Sequence, residues 1–263
     1  MIYTCSPEKV SIYVNTNNKT IKQIQQETGC TAIINGGLFN MSDYTPNCHL
    51  KVDGKVYATD PYKYWGFAWN TNKLAMVQSY SSYKNYICCV CLVRNHKAET
   101  LIYDPGVSGS RPRTAIGVFE DGRIWLLADK TNRTPEALQR LCLEQGLKYA
   151  MMLDGGGSTQ CRFPDGAVTS TRKVANLICV WEKVTPGEND VCPYTTPIIN
   201  IKFGSKGTGV KWLQWQLNRH GAKLIVDGIF GNDTNKALLA FQRKHGLTPD
   251  AICGAKTRAE LKK

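Results

Sequence analysis

No stretch of this sequence approaches the roughly 18–20 consecutive apolar residues that cross a bilayer, which argues against a membrane-spanning helix. The opening run Met1-Ile2-Tyr3-Thr4-Cys5-Ser6-Pro7-Glu8-Lys9 has neither a basic stretch nor an apolar core, so no secretory signal is visible. The expectation is a chain made in the cytoplasm, which stays there, leaves by lysis or another signal-free route, or is exported by a signal lying elsewhere. Histidine is scarce, with 4 in 263 residues, and no Cys-x-x-Cys pair stands with a second pair or a suitably spaced histidine. That argues against a zinc module. Negative charge is also short, 21 Asp and Glu against 33 Lys and Arg.

Hydrophobic residues at 42% and charged residues at 21% describe a globular chain, long enough for one or two domains. Its 11 cysteines are an odd number, and several stand inside apolar runs such as Ile87-Cys88-Cys89-Val90-Cys91-Leu92. There a cysteine serves as a small hydrophobe, and the pattern fits synthesis in a reducing compartment better than a disulfide scaffold. The net charge is +12, of which residues 201–263 carry +8, from 12 Lys and Arg against 4 Asp and Glu. Such asymmetry faces an anionic partner, nucleic acid or an anionic cell wall.

Along the chain, Val10–Val14 alternates as a strand, Thr20–Thr28 has helical spacing stopped by Gly29, and Thr31–Ile34 reads as a buried strand. That strand runs into Asn35-Gly36-Gly37-Leu38-Phe39, which is either a hairpin turn or an Asn amide presented beside two open backbone N–H groups. Asp53-Gly54 and Asp121-Gly122 each sit between apolar runs, the local signature of a hairpin. The aromatics Tyr57, Tyr62, Tyr64, Trp65 and Trp69 suit either a sugar-stacking surface or plain core. Thr134-Pro135 through Gly146 is punctuated as a helix, with Thr134 as N-cap, Pro135 in first position and Gly146 as the stop.

The chain is organised around the stretch after this helix. Tyr149–Leu153 is a short apolar run that ends in Asp154-Gly155-Gly156-Gly157-Ser158-Thr159. Three glycines remove every Cβ and let a ligand approach the backbone N–H groups, a geometry that suits an anion. A tight turn with an Asx-type side-chain bond is the plainer alternative. Arg113, Asp129 and Arg172 stand at strand ends. Each is either a solvated charge or a partner of that turn. Residues 185–200 read as a linker, and beyond it the period turns helical, with Val210, Leu213 and Leu217 on one helix, Thr234, Ala237, Leu238 and Phe241 on a second, and a short third at Thr257–Leu261.

Two resemblances cover nearly the whole chain. Ile34-Asn35-Gly36-Gly37-Leu38-Phe39, Arg113-Thr114-Ala115-Ile116-Gly117, Leu153–Thr159 and Arg172…Asn176-Leu177 occur in the order of the phosphodiester glycosidase family, which residues 1–184 resemble. Its best-known member removes N-acetylglucosamine from a phosphodiester. Leu38 stands where that family usually has a second aromatic. Residues 201–263, with Val226-Asp227-Gly228-Ile229-Phe230-Gly231, Phe241-Gln242, Gly246-Leu247 and Asp250…Ile252…Gly254…Thr257, resemble the three-helix peptidoglycan-binding module of bacterial and phage wall hydrolases. Ala251 replaces a glycine common in such modules.

The fold class expected is α+β, an N-terminal mixed-sheet domain with packed helices plus a small C-terminal three-helix module. The resemblance implies a wall-targeted glycosidase, phage or bacterial and lysin-like, cleaving a sugar-1-phosphodiester or related wall glycan linkage. The alternative is a non-catalytic wall-glycan-binding protein. Glycosidic cleavage needs carboxylates near the anomeric carbon, which makes Asp154 the leading candidate for nucleophile or base, Asp129 the candidate second carboxylate and Asn35 the group expected to orient a sugar hydroxyl or water. Gly36, Gly37, Arg113, Thr114, Gly155, Gly156, Gly157, Ser158, Thr159, Arg172 and Asn176 form the substrate-binding set. The expected partners are peptidoglycan or an anionic wall polymer and a carbohydrate substrate, with no nucleic acid. No ligand spacing implies a cofactor, and a divalent cation beside the carboxylates is the one metal left open.

Overall fold

The computed structural model describes residues 1–59, 64–182 and 192–263. Tyr62 and residues 185–191 of the expected linker lie outside the described residues. The chain divides into two compact units, one of Met1–Gln25 with Thr31–Val180, the other of Gln26–Cys30 with Trp181–Lys263. The architecture is α+β, a sheet-rich N-terminal part and a small C-terminal module of three helices. No helix among the described residues is long and apolar enough to cross a membrane.

Among the described residues the larger unit contains three sheets. Six strands run in the order Ile2–Cys5, Ile124–Arg133, Arg111–Val118, Tyr149–Met152, Val90–Arg94 and Lys97–Ala98. Five run Gly166–Val168, Cys161–Phe163, Ala32–Asn35, Asn176–Glu182 and Pro7–Val14. The third sheet orders Lys55–Ala58, Leu50–Val52, Asn85–Cys88, Gly66–Trp69 and Ala75–Val77. Ala32-Ile33-Ile34-Asn35 is buried at every residue, as is Gly66–Trp69, so both are buried on both faces rather than alternating, and Asn35 is the one polar side chain among them. Ile34, Phe67 and Ala115, one from each sheet, belong to a single apolar cluster.

Turn chemistry sets the hairpins. Asp53 and Gly54 both have positive φ, 48° and 88°, as the tightest hairpin turns require. Gly122, at φ 85°, turns Arg111–Val118 back onto Ile124–Arg133. The helix before the glycine-rich turn runs Pro135–Glu144, and the Thr134 hydroxyl caps it by accepting from the Ala137 N–H. Among the expected aromatics, Trp69 is core, its indole N–H donating to the Val10 carbonyl at 2.9 Å, while Arg94 lies 4.4 Å over the Trp65 ring.

In the smaller unit, Thr208–Arg219, Asn232–Lys244 and Ala255–Leu261 pack around Val210, Leu213, Phe230 and Leu238. Its loops are built twice on one plan. The Gln214 amide donates to Asp227 at 2.8 Å and Thr234 at 3.1 Å and accepts from the Gly228 N–H at 2.8 Å. The Gln242 amide donates to Asp250 at 2.9 Å and Thr257 at 3.4 Å and accepts from the Ala251 N–H at 3.0 Å. A buried glutamine thus satisfies each loop's backbone before the next helix begins.

Candidate active site

Two strand-to-glycine turns meet backbone to backbone. Ala115 faces Met152 in the antiparallel ladder, and the Leu153 N–H continues it onto the Thr114 carbonyl at 2.9 Å. One residue on, the Asp154 N–H donates to the Gly36 carbonyl at 3.0 Å and joins the two turns. Asn35, 0% exposed, clasps the junction. Its amide donates to the Asp154 carbonyl at 2.7 Å and to the Thr114 hydroxyl at 3.1 Å, and its oxygen accepts from the Gln160 N–H at 3.1 Å. The Thr114 hydroxyl also donates to the Asp154 carbonyl. Asn176 holds the other turn, accepting from the Gly37 N–H at 2.8 Å.

The glycines are there for clearance. A Cβ on Gly36 would fall 2.0 Å from the Asn176 side-chain oxygen, and one on Gly155 would fall 2.7 Å from the Pro112 carbonyl. On Gly157 it would meet the Arg172 guanidinium at 2.8 Å. Gly156, at φ 58°, turns the chain into the short 3-10 segment Gly156–Ser158.

Asp154 is the carboxylate this framework presents. Burial pushes its pKa above the ordinary carboxylate value, and hydrogen bonds from Ser158 and the Gly155 N–H, with the Arg172 charge, partly oppose that. The Gly155 N–H lies 2.9 Å from the carboxylate. Arg172 is exposed yet fastened, its guanidinium 3.3 Å from the Ser158 hydroxyl and its carbonyl accepting from Gln160 at 2.9 Å. Ser170 ties the same loop to the Gly157 carbonyl at 2.5 Å. Ser158 and Thr159 are both buried, and the Thr159 hydroxyl has no hydrogen-bond partner.

Two other expected residues are turned elsewhere. Arg113 is 1% exposed, and its guanidinium donates to the carbonyls of Arg133 at 2.9 Å, Val107 at 3.0 Å and Gly109 at 2.6 Å. It braces the 105–111 loop instead of opening to a ligand. Burial lowers its pKa. Asp129 accepts from the Thr131 hydroxyl at 2.6 Å and from Arg133 at 2.5 Å. Burial works against ionisation there, but the Thr131 and Arg133 hydrogen bonds win and hold Asp129 below its usual value.

A cleft of about 360 Å³ opens beside the turns. Leu38, directly after Gly37, lines it, as do Val90, the ladder partner of Met152, and Val107, whose carbonyl Arg113 holds. Cys48, Cys89 and Tyr64 are also part of its lining. Tyr64 is one of the aromatics the sequence offers as a sugar-stacking surface, whereas Cys48 and Cys89 carry no sequence signal, since Cys89 sits in an apolar run where a cysteine reads as a small hydrophobe. The smaller unit has its own concavity of about 260 Å³, lined by Leu217, His220, Lys223, Ala237, Phe241 and Lys244. Among the described residues no group of three or more His, Cys, Asp or Glu converges as a metal site.

Comparison with known proteins matches residues 28–181 to the family model described as phosphodiester glycosidase, and residues 206–261 to the peptidoglycan binding domain. The N-acetylmuramoyl-L-alanine amidase CwlM of Mycobacterium tuberculosis is 41% identical over 63 residues, which are 23% of this chain and 16% of that protein. The chain therefore spans only a small part of that relative. Two solved structures share the fold of the larger unit. The zebrafish N-acetylglucosamine-1-phosphodiester alpha-N-acetylglucosaminidase catalytic domain, auto-inhibited by its pro-peptide, is 16% identical with a TM-score of 0.54, over 65% of this chain and 72% of that one. A hypothetical protein from Synechocystis is 11% identical with a TM-score of 0.60, over 68% and 58%.

Proposed function

The chain belongs to the phosphodiester glycosidase family, and from that premise we propose that it is a wall-targeted, lysin-like hydrolase that cleaves a sugar-1-phosphodiester or a related wall glycan linkage. The observation that carries this reading is Asp154, a carboxylate with a raised pKa, held between Ser158, the Gly155 N–H and the Arg172 guanidinium. A phosphodiester is already a good leaving group, so the reaction needs charge neutralisation more than a strong acid. Arg172 is the exposed cation that supplies it, with the Gly156-Gly157 backbone beside it. Asp154 acts on the anomeric carbon, as nucleophile or as the base that activates water. Asn35, Thr114 and Asn176 are positioning residues, because their polar atoms are spent on the backbone of the two turns. Asp129 is tied to Arg133 and takes no part.

The C-terminal module keeps the enzyme on its substrate. The match to the peptidoglycan binding domain supports this, and so do Lys223 and Lys244, which place positive charge at the module's concavity. The test is release of N-acetylglucosamine from a synthetic N-acetylglucosamine-1-phosphodiester and from purified walls, by wild type and Asp154→Asn. Release from the diester that the variant loses supports the reading, and the anomer first formed distinguishes nucleophile from base. Release from neither, with wall binding retained, moves the larger unit to the non-catalytic glycan-binding alternative.

A further inference from the structure

The cleft beside Asp154 has two thiols in its wall that the proposed reaction does not use. Cys48 and Cys89 both line it. Backbone register brings them together. Leu50 faces Ile87 and Lys51 faces Tyr86 across an antiparallel pair, and the Cys88 N–H donates to the His49 carbonyl at 3.2 Å. His49 and Cys88 thus continue the ladder as a hydrogen-bonded pair, and the next residues outward are Cys48 and Cys89. Just beyond the ends of the two strands, the register sets Cys48 opposite Cys89 at a non-hydrogen-bonded position, where antiparallel pairs bring side chains closest and Cα atoms typically lie about 4.5 Å apart. A disulfide spans that separation. The side chains do meet, since the Cys89 thiol is hydrogen-bonded to Cys48. They differ in access, Cys89 being 6% exposed and Cys48 half-buried.

We propose that Cys48 and Cys89 are a redox-active dithiol in the cleft wall, which a low-molecular-weight disulfide converts into an intramolecular disulfide. The Cys48 thiolate attacks one sulfur of the small disulfide, forming a mixed disulfide and expelling one small thiolate. Cys89 then attacks the Cys48 sulfur, forming the protein S–S bond and expelling the second. The two protons of the protein thiols end on the two released thiols, so the protein loses two electrons and the reagent gains them. Access sets this order. Cys89 is shut away, and its hydrogen bond to Cys48, with burial, holds its thiol well above the usual pKa, which suits the resolving partner.

The bond has a consequence for the cleft. The segment from Leu38 to Cys48 leaves the Gly36-Gly37 turn, and the Asn47 N–H ties back to the Leu38 carbonyl at 2.9 Å. A Cys48–Cys89 bond pins this rim to the chain just before Val90 and lowers turnover. That effect rests on the reading of the cleft as the substrate site, whereas the disulfide itself does not.

The test treats the full chain with oxidised glutathione and maps it by non-reducing peptide mass spectrometry. The expected result is one cross-linked peptide pair, Cys48 to Cys89, and a melting temperature raised by roughly 5–10 °C. Dithiothreitol reverses both, and Cys48→Ser abolishes both. A persistent glutathione adduct on Cys48, a cross-link elsewhere, or the same thermal shift in Cys48→Ser overturns the proposal. Hydrolysis of the diester is expected to fall at least about fivefold on oxidation. A cross-link with unchanged hydrolysis keeps the dithiol and overturns its link to the cleft. Absence of hydrolysis in both redox states overturns the functional reading and leaves the dithiol standing on mass and melting temperature.

Discussion

The turns at Asn35 and Asp154 follow the same local rule, a buried strand ending in a polar residue and a run of glycines, yet they do opposite work. At the first, the side chain points into the protein and spends its amide on three chain segments, so Asn35 is fully buried and fully satisfied. At the second, the backbone is what the neighbours hold, and the Asp154 carboxylate is left to Ser158, the Gly155 N–H and Arg172. The arginines divide in the same way. Arg113 is spent on carbonyls and Arg172 is exposed over Gly157. A pattern of residue types is therefore shared by a clasp and a presented carboxylate, and the direction in which the side chain is used separates them.

The sharpest way to break this contrast is Asp154→Asn, which keeps the shape and removes the charge. Hydrolysis of the diester should fall by about 10²–10⁴-fold, read as kcat/KM. Stability should move the other way. The folded pKa of Asp154 is raised, so its contribution to stability is fully present below the ordinary carboxylate value and is lost as pH rises through the raised one. At neutral pH the variant should therefore melt higher than wild type, and the gap should close as pH falls below the unfolded carboxylate range. A wild type that melts higher at neutral pH would mean that the ionised carboxylate is stabilised in the fold.

Next come the arginines. Arg172→Ala should cost about 10²–10³-fold in activity with an unchanged melting temperature, and Arg172→Lys should restore part of the rate. Arg113→Ala should instead destabilise the fold by about 3 kcal/mol, because it removes a buried side chain that holds three carbonyls, and Arg113→Lys should rescue little, since one ammonium cannot reach all three. Asn35→Ala belongs with Arg113, with an expected loss of about 2–4 kcal/mol by denaturant titration. If Asn35→Ala cost only activity, the clasp reading of the first turn would fail.

Much of the fold was legible in the sequence. The Asp53-Gly54 and Asp121-Gly122 hairpins, the Thr134-capped helix and the three C-terminal helices all come from local chemistry that needs no tertiary partner. That the motif residues Asn35, Thr114, Asp154, Ser158, Arg172 and Asn176 gather around the two turns was legible too. The roles within it were not. Whether an arginine at a strand end is a brace or an anion contact depends on which loop covers it, and the loop over Arg113 runs through Val107 and Gly109, which have no motif of their own. The cleft's thiol wall was hidden for the same reason. Cys48 and Cys89 are far apart in sequence, and only the pairing of Leu50 with Ile87 makes them neighbours.

The smallest effect tests the same principle inside the helical module, where the pattern is repeated rather than shared. Gly228 and Ala251 occupy matching places under Gln214 and Gln242, and both have left-handed backbone, φ 77° and 56°. A side chain in that conformation is strained, so Ala251→Gly should stabilise the module by about 0.5–1 kcal/mol once the added freedom of the unfolded chain is counted. Gly228→Ala should cost more than the first change gains. It adds the same strain, and its Cβ must also displace Lys211 at 3.0 Å and the Gly207 carbonyl at 3.1 Å. Calorimetry of the full chain reads both as shifts of the module's transition. Equal and opposite shifts would mean that the two loops are interchangeable, and a larger loss at Gly228 would mean that their surroundings, as at Asn35 and Asp154, decide what one motif does.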